Sequence, residues 1–155
     1  GDVYKRQQLG GVVIGDDCEI GANTAIDRGA IEDTVLEDDV RLDNLVQVGH
    51  NVRIGAHTAI AGCAGIAGST RIGRNCLIAG GVGIFGHLEI ADGVTISALS
   101  TVSKSITEPN STWGSTVPAR PLRDWQRSLA RINSLDRLRA RVSALEKKLG
   151  ELDNE

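Results

Sequence analysis

The 155-residue sequence contains no methionine, and aromatic residues make up only 3% of it. A core built around Phe, Tyr and Met is therefore not expected. The three cysteines, Cys18, Cys63 and Cys76, are odd in number and lack CxxC spacing, which argues against a disulfide framework or a zinc ribbon and indicates small apolar packing residues. No run approaches the roughly 18 apolar residues that span a bilayer, and the N-terminus has no export pattern, so we expect a cytoplasmic protein without a membrane segment.

Glycine, by contrast, is abundant, with 19 residues, and the sequence has a strict repeat. Ile14, Ile20 and Ile26 begin it, and four extra residues before Leu36 indicate an insertion. A period of six residues fits neither a helix nor a long hairpin, but it suits a solenoid of short strands with a turn in every unit. The unbroken aliphatic series is Leu36, Leu42, Val48, Ile54, Ile60, Ile66, Ile72, Ile78, Ile84, Ile90, Ile96 and Val102.

This pattern resembles the hexapeptide-repeat left-handed parallel β-helix, an all-β fold in which three hexapeptides make one coil of triangular section. The resemblance implies left-handed crossovers, which are rare elsewhere. Fifteen repeat starts predict about five coils in a domain over residues 8–106. Because three hexapeptides complete a coil, side chains that lie three repeats apart are expected to stack on one edge.

The repeat stops after Val102, and the chain changes character. Scattered prolines predict an irregular connector over residues 107–120. Apolar residues at spacings of three and four then predict a C-terminal amphipathic helix over residues 121–150 that packs on the solenoid or on other copies. Residues 1–7 fit neither pattern and are expected to be a junction, and residues 151–155 a tail. The helical stripe consists of Leu122, Trp125, Leu129, Ile132, Leu135, Leu138, Val142, Leu145 and Leu149.

Three residues are predicted to share one edge of the solenoid and to form a candidate site. Gly68 lies one coil beyond His50, and His87 lies two coils plus one residue beyond it. A neutral histidine accepts protons near pH 7, and glycine exposes a backbone N–H that could stabilise an oxyanion. The alternative is that such histidines are merely tolerated at turns, which is the interpretation given to His57, since the spacing supplies no partner for it.

Five segments narrow the resemblance to UDP-3-O-acylglucosamine N-acyltransferases, which act in lipid A biosynthesis. The resemblance implies that His50 is the general base, that His87 is a second histidine at the acyl site and that the Gly68 N–H binds the oxyanion. It also implies that Asp43 and Asn44 line the sugar pocket. The segments are AIDRGAIEDT at 25–34, LDNLVQVGHNVRIG at 42–55, AGIAGS at 64–69, GHLEI at 86–90 and ITEP at 106–109.

The same resemblance implies the substrates. The 2-amine of a UDP-sugar lipid precursor would attack an acyl thioester carried by the phosphopantetheine of acyl carrier protein, with no metal and no further cofactor. The family has a uridine-binding domain ahead of its β-helix, which this sequence does not include, so we expect an acyl-transfer groove with weak nucleotide affinity. Asp27 and Arg28 also match the family, and a structural ion pair or a subunit contact is expected for them.

A basic segment is a candidate docking site for the acidic carrier protein. Residues 120–141 contain seven arginines and two acids, although the whole chain has a net charge of -3. The alternative is a solvated helix face, and the scarcity of aromatic residues argues against nucleic acid. The residues expected to bind the carrier are Lys104, Arg120, Arg123, Arg127 and Arg131.

Three other functions compete with N-acyl transfer. A sibling O-acyltransferase would share the fold and the histidine base, but the DNLVQVGHN and IDRG segments favour the N-acyltransferase. A β-helical carbonic anhydrase would need a third zinc-binding histidine, and positions 91 and 92 are Ala and Asp. A trimeric scaffold without activity is the third. We expect a homotrimer, because one smooth wall makes a poor pocket and a groove between two walls encloses a ligand.

Overall fold

The computed structural model describes residues 8–116 and 118–152, with side chains described as far as residue 147. The predicted junction at residues 1–7 and the last three residues of the predicted tail lie outside this part of the chain. Contacts divide the chain into two compact units, Gly1–Thr116 and Val117–Glu155.

The first unit is a left-handed parallel β-helix, as predicted from the six-residue period. Within residues 8–116, fifteen strands form five coils, and β16 begins a sixth on top of β14. Neighbouring coils pair in parallel with an offset of three repeats, as in Ile54 beside Ile72 beside Ile90. The strands are β1 (Val12–Ile14), β2 (Glu19–Ile20), β3 (Ala25–Ile26), β4 (Thr34–Leu36), β5 (Arg41–Leu42), β6 (Gln47–Val48), β7 (Arg53–Ile54), β8 (Ala59–Ile60), β9 (Gly65–Ile66), β10 (Arg71–Ile72), β11 (Leu77–Ile78), β12 (Gly83–Ile84), β13 (Glu89–Ile90), β14 (Thr95–Ile96), β15 (Thr101–Val102) and β16 (Thr112–Trp113).

Three sheets form the three walls of the β-helix. Sheet 1 has the order β1-β4-β7-β10-β13, sheet 2 the order β16-β14-β11-β8-β5-β2, and sheet 3 the order β15-β12-β9-β6-β3. The last residue of a strand points inward and the one before it outward, since successive side chains alternate. Ile54, Ile60 and Ile66 illustrate the result, because each is at most 2% exposed. Cys76 also lies in this core, as expected, whereas Cys63 is exposed.

Each pair of walls meets at a corner, and we name the three corners after residues in them. In nearly every repeat one corner residue has a φ near +60°, and Asn, Asp and His recur there because they tolerate the left-handed region. The Asp39 corner joins sheets 1 and 2 and contains residues 37–40, 55–58, 73–76 and 91–94. The Asp43 corner joins sheets 2 and 3 and contains residues 43–46, 61–64, 79–82 and 97–100. The His50 corner joins sheets 3 and 1 and contains residues 49–52, 67–70, 85–88 and 103–105.

The predicted insertion forms a loop at the His50 corner, between β3 and β4. It changes the offset between the first two coils, so that Ile14 pairs with Leu36 and not with the residue three repeats further along the chain. The loop, residues 27–33, closes through the Thr34 hydroxyl, which donates to the Asp27 carbonyl oxygen at 2.7 Å. Its Arg28 donates through Nε to the Gly10 carbonyl oxygen at 2.7 Å. No ion pair of Asp27 or Arg28 is found among the described residues, and a subunit contact stays a prediction for them.

The second unit contains two helices where the sequence predicts one. α1 spans Leu122–Ile132 and α2 spans Leu135–Leu152. The break falls at Asn133 and Ser134, where the Ser134 hydroxyl donates to the Arg131 carbonyl oxygen at 2.8 Å. Serine and asparagine weaken helices by such local hydrogen bonds, which explains the position of the break. No helix in the described part of the chain is both long and apolar enough to cross a bilayer.

Candidate active site

His50 and Gly68 lie against each other at the His50 corner, one coil apart. The His50 carbonyl oxygen accepts a hydrogen bond from the Ser69 N–H at 2.9 Å, which fixes the two coils in register. The His50 side chain is exposed and its imidazole covers the Gly68 Cα, because a Cβ added to Gly68 would lie 2.7 Å from His50 Nε2. Only glycine at this position leaves room for the ring.

The backbone N–H groups at one position of each repeat are paired to different extents at the three corners. The relevant residue lies two positions after the inward aliphatic residue of each strand. Its N–H points to a place where a side-chain oxygen can accept a hydrogen bond from it. At the other two corners, a carboxylate oxygen accepts this hydrogen bond in several coils. Glu37 Oε2 accepts from the Ala56 N–H, Asp43 Oδ2 from the Gly62 N–H and Asp92 Oδ1 from the Arg74 N–H, at 2.9–3.1 Å. Among the described residues, no acceptor is found for this N–H in His50, Gly68 or Gly86. The corresponding N–H groups of Asp38, Gly80, Asp92 and Ala98 also have no acceptor among the described residues. The His50 corner differs in that an imidazole lies against a glycine that carries such an N–H.

Two more predicted site residues lie at the same corner. The His87 N–H donates to the Gly68 carbonyl oxygen at 3.0 Å, which places His87 one coil above Gly68. Lys104 lies at the same corner one coil further on. It stands between β15 and Ile106, which forms a parallel β-bridge with Ile90. The structure thus brings His50, Gly68 and His87 to one edge, as the three-repeat spacing predicts, and it places Lys104 on the same edge.

Asp43 and Asn44 lie instead at the Asp43 corner, across sheet 3 from His50. The Asp43 carboxylate accepts hydrogen bonds from the N–H groups of Gly62 at 3.1 Å and Asn44 at 2.8 Å. The Asn44 Oδ1 accepts from the Ala22 N–H at 2.7 Å. Both side chains therefore hold neighbouring coils together, and within one chain they do not meet His50.

Asn51 is a site residue that the sequence analysis missed. Its Oδ1 lies 3.0 Å from His50 Nδ1, and its Nδ2 donates to the Glu32 carbonyl oxygen at 2.8 Å. The same Oδ1 accepts the Ala30 N–H at 3.0 Å. The signal in the sequence is the direct adjacency of His50 and Asn51, but the amide gains its partners only from the inserted loop.

His57 has a partner, so the prediction that the spacing supplies none is wrong. Asp39 lies one coil earlier, and its Oδ2 is 2.9 Å from His57 Nδ1. The other oxygen, Oδ1, accepts from Arg41 Nε at 3.2 Å and Nη2 at 3.0 Å. Hydrogen bonds from His57 and then Arg41 lower the pKa of Asp39 from its ordinary value.

The predicted carrier-binding arginines lie in the second unit. Arg123, Arg127 and Arg131 are spaced by four on α1, and they occupy the face opposite the apolar stripe, since each residue turns a helix by about 100°. Arg127 lies 3.6 Å from Asp124, an exposed pair that leaves most of the positive charge of this face unpaired. Arg120 precedes the helix and donates to the Ser128 hydroxyl at 3.2 Å.

Comparisons with known proteins show which proteins the chain resembles. The family described as "Bacterial transferase hexapeptide (six repeats)" matches residues 33–68. The chain is 52% identical over 145 residues to UDP-3-O-acylglucosamine N-acyltransferase from Delftia acidovorans and 56% identical over 143 residues to that from Bordetella avium. The resemblance predicted from the sequence is confirmed.

These relatives are longer than the chain. The matches cover 94% and 92% of the chain but 43% and 39% of the two relatives, so the chain spans less than half of their length. Among solved structures, a Francisella novicida UDP-N-acetylglucosamine acyltransferase superimposes with a TM-score of 0.65 at 19% identity. That match covers 75% of this chain and 43% of the other, and it supports the β-helical fold.

Proposed function

We propose that the chain catalyses N-acyl transfer from an acyl carrier protein thioester to the 2-amine of UDP-3-O-acylglucosamine. The likeness of nearly the whole chain to N-acyltransferases of that name supports the substrates. The observation that carries the chemistry is the His50 imidazole beside the unpaired N–H of Gly68. Because a base and an oxyanion donor are sufficient for acyl transfer from a thioester, the proposed reaction needs no metal ion and no cofactor beyond the phosphopantetheine of the donor.

In the proposed step, His50 Nε2 takes a proton from the amine as its nitrogen attacks the thioester carbonyl carbon. The carbonyl oxygen becomes negative, and the Gly68 N–H donates to it. Carboxylate oxygens occupy the corresponding position at Ala56, Gly62 and Arg74, so the fold already binds anionic oxygen in this way. The C–S bond then breaks and the thiolate takes up a proton. A general base contributes about 10²–10⁴ in rate, and one oxyanion donor about 2.7–4 kcal/mol.

The carrier protein is the proposed partner of the basic residues. His87 and Lys104 continue the His50 corner beyond Gly68, so we assign His87 to the acyl site and Lys104 to the carrier's approach. The arginine face of α1 adds an electrostatic attraction for an acidic protein. A carrier-protein thioester is a cytoplasmic donor, and the reaction is accordingly assigned to the cytoplasm.

A homotrimer would complete this site, and sheet 3 is the proposed contact wall. Gly65 and Gly83 occupy outward-facing positions on this wall, and no atom lies within 4 Å of a Cβ built on either residue. The fold of one chain therefore does not require glycine there, and strand glycines mark the close approach of another backbone. Leu45 and Leu99, 56% and 69% exposed, border the same wall. A neighbouring copy on this wall would bring its own Asp43 and Asn44 toward the sugar pocket.

The α2 helix provides a second contact between copies. Leu135, Leu138, Val142 and Leu145 have the a and d spacing of a heptad, and all are 44–58% exposed. In a parallel pair of copies, Arg141 at g faces Glu146 at e of the next helix, which is an attractive pair. The rotation that relates the copies of a cyclic trimer keeps equivalent helices parallel, so the parallel arrangement is the one proposed.

Light scattering tests the oligomer. Gly65→Arg should convert the trimer to monomers at micromolar concentration, because an arginine cannot fit between two closely apposed walls. Ala59→Arg is the matched control, since Ala59 holds the outward position of the same coil on sheet 2. A monomeric mass for the unsubstituted chain would contradict the trimer.

Mass spectrometry of the product tests the activity. The chain is incubated with acyl carrier protein thioester and UDP-3-O-acylglucosamine, alone and joined to the remaining part of the Delftia acidovorans relative. An N-acylated product that His50→Ala does not form is expected. A second reaction offers UDP-N-acetylglucosamine, and product from that acceptor alone would indicate the sibling O-acyltransferase. If the joined form yields no product from either acceptor, the chain is not an acyltransferase and the alternative of a trimeric scaffold without activity applies.

A further inference from the structure

The Asn51 side chain is the first link between the inserted loop and His50. Its amide is held by two backbone groups of the loop, the Ala30 N–H at Oδ1 and the Glu32 carbonyl oxygen at Nδ2. If the amide were flipped, so that its oxygen and nitrogen exchanged places, its NH₂ group would oppose the Ala30 N–H and its carbonyl would oppose that of Glu32. Both contacts would be repulsive, so the hydrogen-bond network assigns the oxygen to the side facing His50.

This orientation determines which imidazole nitrogen carries the proton. Asn51 Oδ1 can only accept, and it lies 3.0 Å from His50 Nδ1, so Nδ1 must donate. In the neutral ring the lone pair is then on Nε2, the atom that lies against Gly68. The loop thus selects the tautomer whose basic nitrogen lies on the Gly68 side of the ring.

Asparagine at this corner position is not sufficient by itself. Asn75 has the same place in its repeat, with a φ of 56° against 60° for Asn51. Its side chain has no hydrogen-bond partner among the described residues, because no inserted loop lies beside the Asp39 corner. The Asn51 N–H also donates to the Thr34 hydroxyl at 2.8 Å, and that buried hydroxyl in turn closes the loop at Asp27.

We propose that the loop of residues 27–33 holds the Asn51 amide so that His50 keeps its proton on Nδ1 and offers Nε2 as the base. Asn51 is thus a positioning residue, which acts through His50. The catalytic importance of this tautomer rests on the proposed function, whereas the tautomer itself does not.

Nitrogen-15 NMR of the imidazoles tests the proposal directly. The chain has only three histidines, so His50 can be assigned by comparison with His50→Ala. At about pH 8, where an unperturbed imidazole is mostly neutral, His50 should show a protonated Nδ1 and an unprotonated Nε2. Free histidine favours the opposite tautomer, so the expected signal is distinctive. A protonated Nε2 in the unsubstituted chain would overturn the proposal.

Two variants separate the effect of the Asn51 side-chain amide from the effect of the backbone conformation at this position. Asn51→Gly suits the positive φ but removes the acceptor, and it should shift His50 mainly to the Nε2–H form. Asn51→Asp keeps an acceptor oxygen and should retain Nδ1–H. Asn75→Gly makes the same change at the Asp39 corner and should leave His50 unaltered. An Nδ1–H signal that persists in Asn51→Gly would overturn the role of the amide.

Kinetics then distinguish failure of this inference from failure of the proposed function. Wrong tautomers of catalytic histidines are costly, so Asn51→Gly should lower kcat by about tenfold or more, with Asn51→Asp partly restoring it. Loss of the Nδ1–H form without any change in kcat would mean that His50 is not the base. A lowered kcat with the tautomer unchanged would show a merely structural role for Asn51 and would overturn the proposal.

Discussion

His50 and His57 occupy neighbouring repeats, yet their corners are built differently. His57 faces the Asp39 carboxylate, which is already bound by Arg41, and the nearby N–H of Ala56 is paired with Glu37. His50 faces a neutral amide, and the adjacent Gly68 N–H has no acceptor among the described residues. The proposed active corner therefore differs from the Asp39 corner at these residues, because a neutral amide faces its imidazole and no carboxylate pairs the adjacent N–H.

The two corners share the same core, so the residues that stabilise the coils are different from the exposed residues in which the corners differ. The inward aliphatic residues repeat in all three walls, so any corner receives the same support from the core. Exposed side chains at the corners contribute little to that core. Substitutions of these side chains can therefore change function while the coils remain folded.

The sharpest way to break the comparison is to remove each histidine in turn. His50→Ala should lower acyl transfer by about 10²–10⁴, the usual contribution of a general base, and His57→Ala should change it little. Both variants should keep the mass of the unsubstituted chain and melt close to it, because both side chains are exposed, with at most a slight decrease in His57→Ala from the lost Asp39 hydrogen bond. Steady-state rates with the carrier-protein thioester provide the measurement. Similar losses in the two variants would mean that the corners do not differ in function.

Gly68→Ala tests the space at the His50 corner. The new Cβ would lie 2.7 Å from His50 Nε2, so the ring must move away from the donor. A displacement of about 1 Å can cost up to about 10²-fold in rate, and we expect a loss of at least about tenfold. Gly80→Ala is the matched control at the Asp43 corner, where the nearest atom would be 3.3 Å away. An active Gly68→Ala enzyme would exclude close packing of the ring from the mechanism.

Sequence reasoning predicts the repeating part of the molecule well, because every coil repeats the same physical requirement. The six-residue period gives the β-helix, and the three-repeat spacing correctly brings His50, Gly68 and His87 to one edge. The same spacing also joins His57 to Asp39, so that pair could have been predicted from the sequence.

The parts that could not be predicted depend on where the repeat is interrupted. The partners of Asn51 come from backbone groups of the inserted loop, whose path no periodicity specifies. The break between α1 and α2 depends on the local hydrogen bond of Ser134, although the apolar spacing continues across it. Asp43 and His50 are close in sequence, but a six-residue repeat turns the chain to another corner between them.

Charge reversal on α1 tests whether the arginine face binds the carrier protein, with arginines on sheet 1 as the control. Arg123→Glu together with Arg127→Glu should raise the apparent KM for the carrier-protein thioester several-fold with little change in kcat, since uniform binding is lost. The effect should shrink as salt rises, because exposed charges are screened beyond about 8 Å at physiological ionic strength. Arg53→Glu with Arg71→Glu makes the same change on sheet 1 and should have a smaller effect. Equal losses with a short pantetheine thioester would exclude carrier docking.

The smallest expected effect is at the Asp39 corner and concerns stability. Hydrogen bonds from His57 and Arg41 lower the pKa of Asp39 in the folded chain, so its carboxylate stabilises the fold at pH values above the unfolded pKa of about 3.9. This contribution is lost as pH falls through the lower, folded pKa. Asp39→Asn should therefore melt slightly below the unsubstituted chain near pH 6, and the difference should vanish on acidification toward pH 2. Exposure keeps the effect small and sensitive to salt. Calorimetry across this range gives the measurement, and a melting difference that persists or grows on acidification would show that Asp39 contributes through packing and not through its charge.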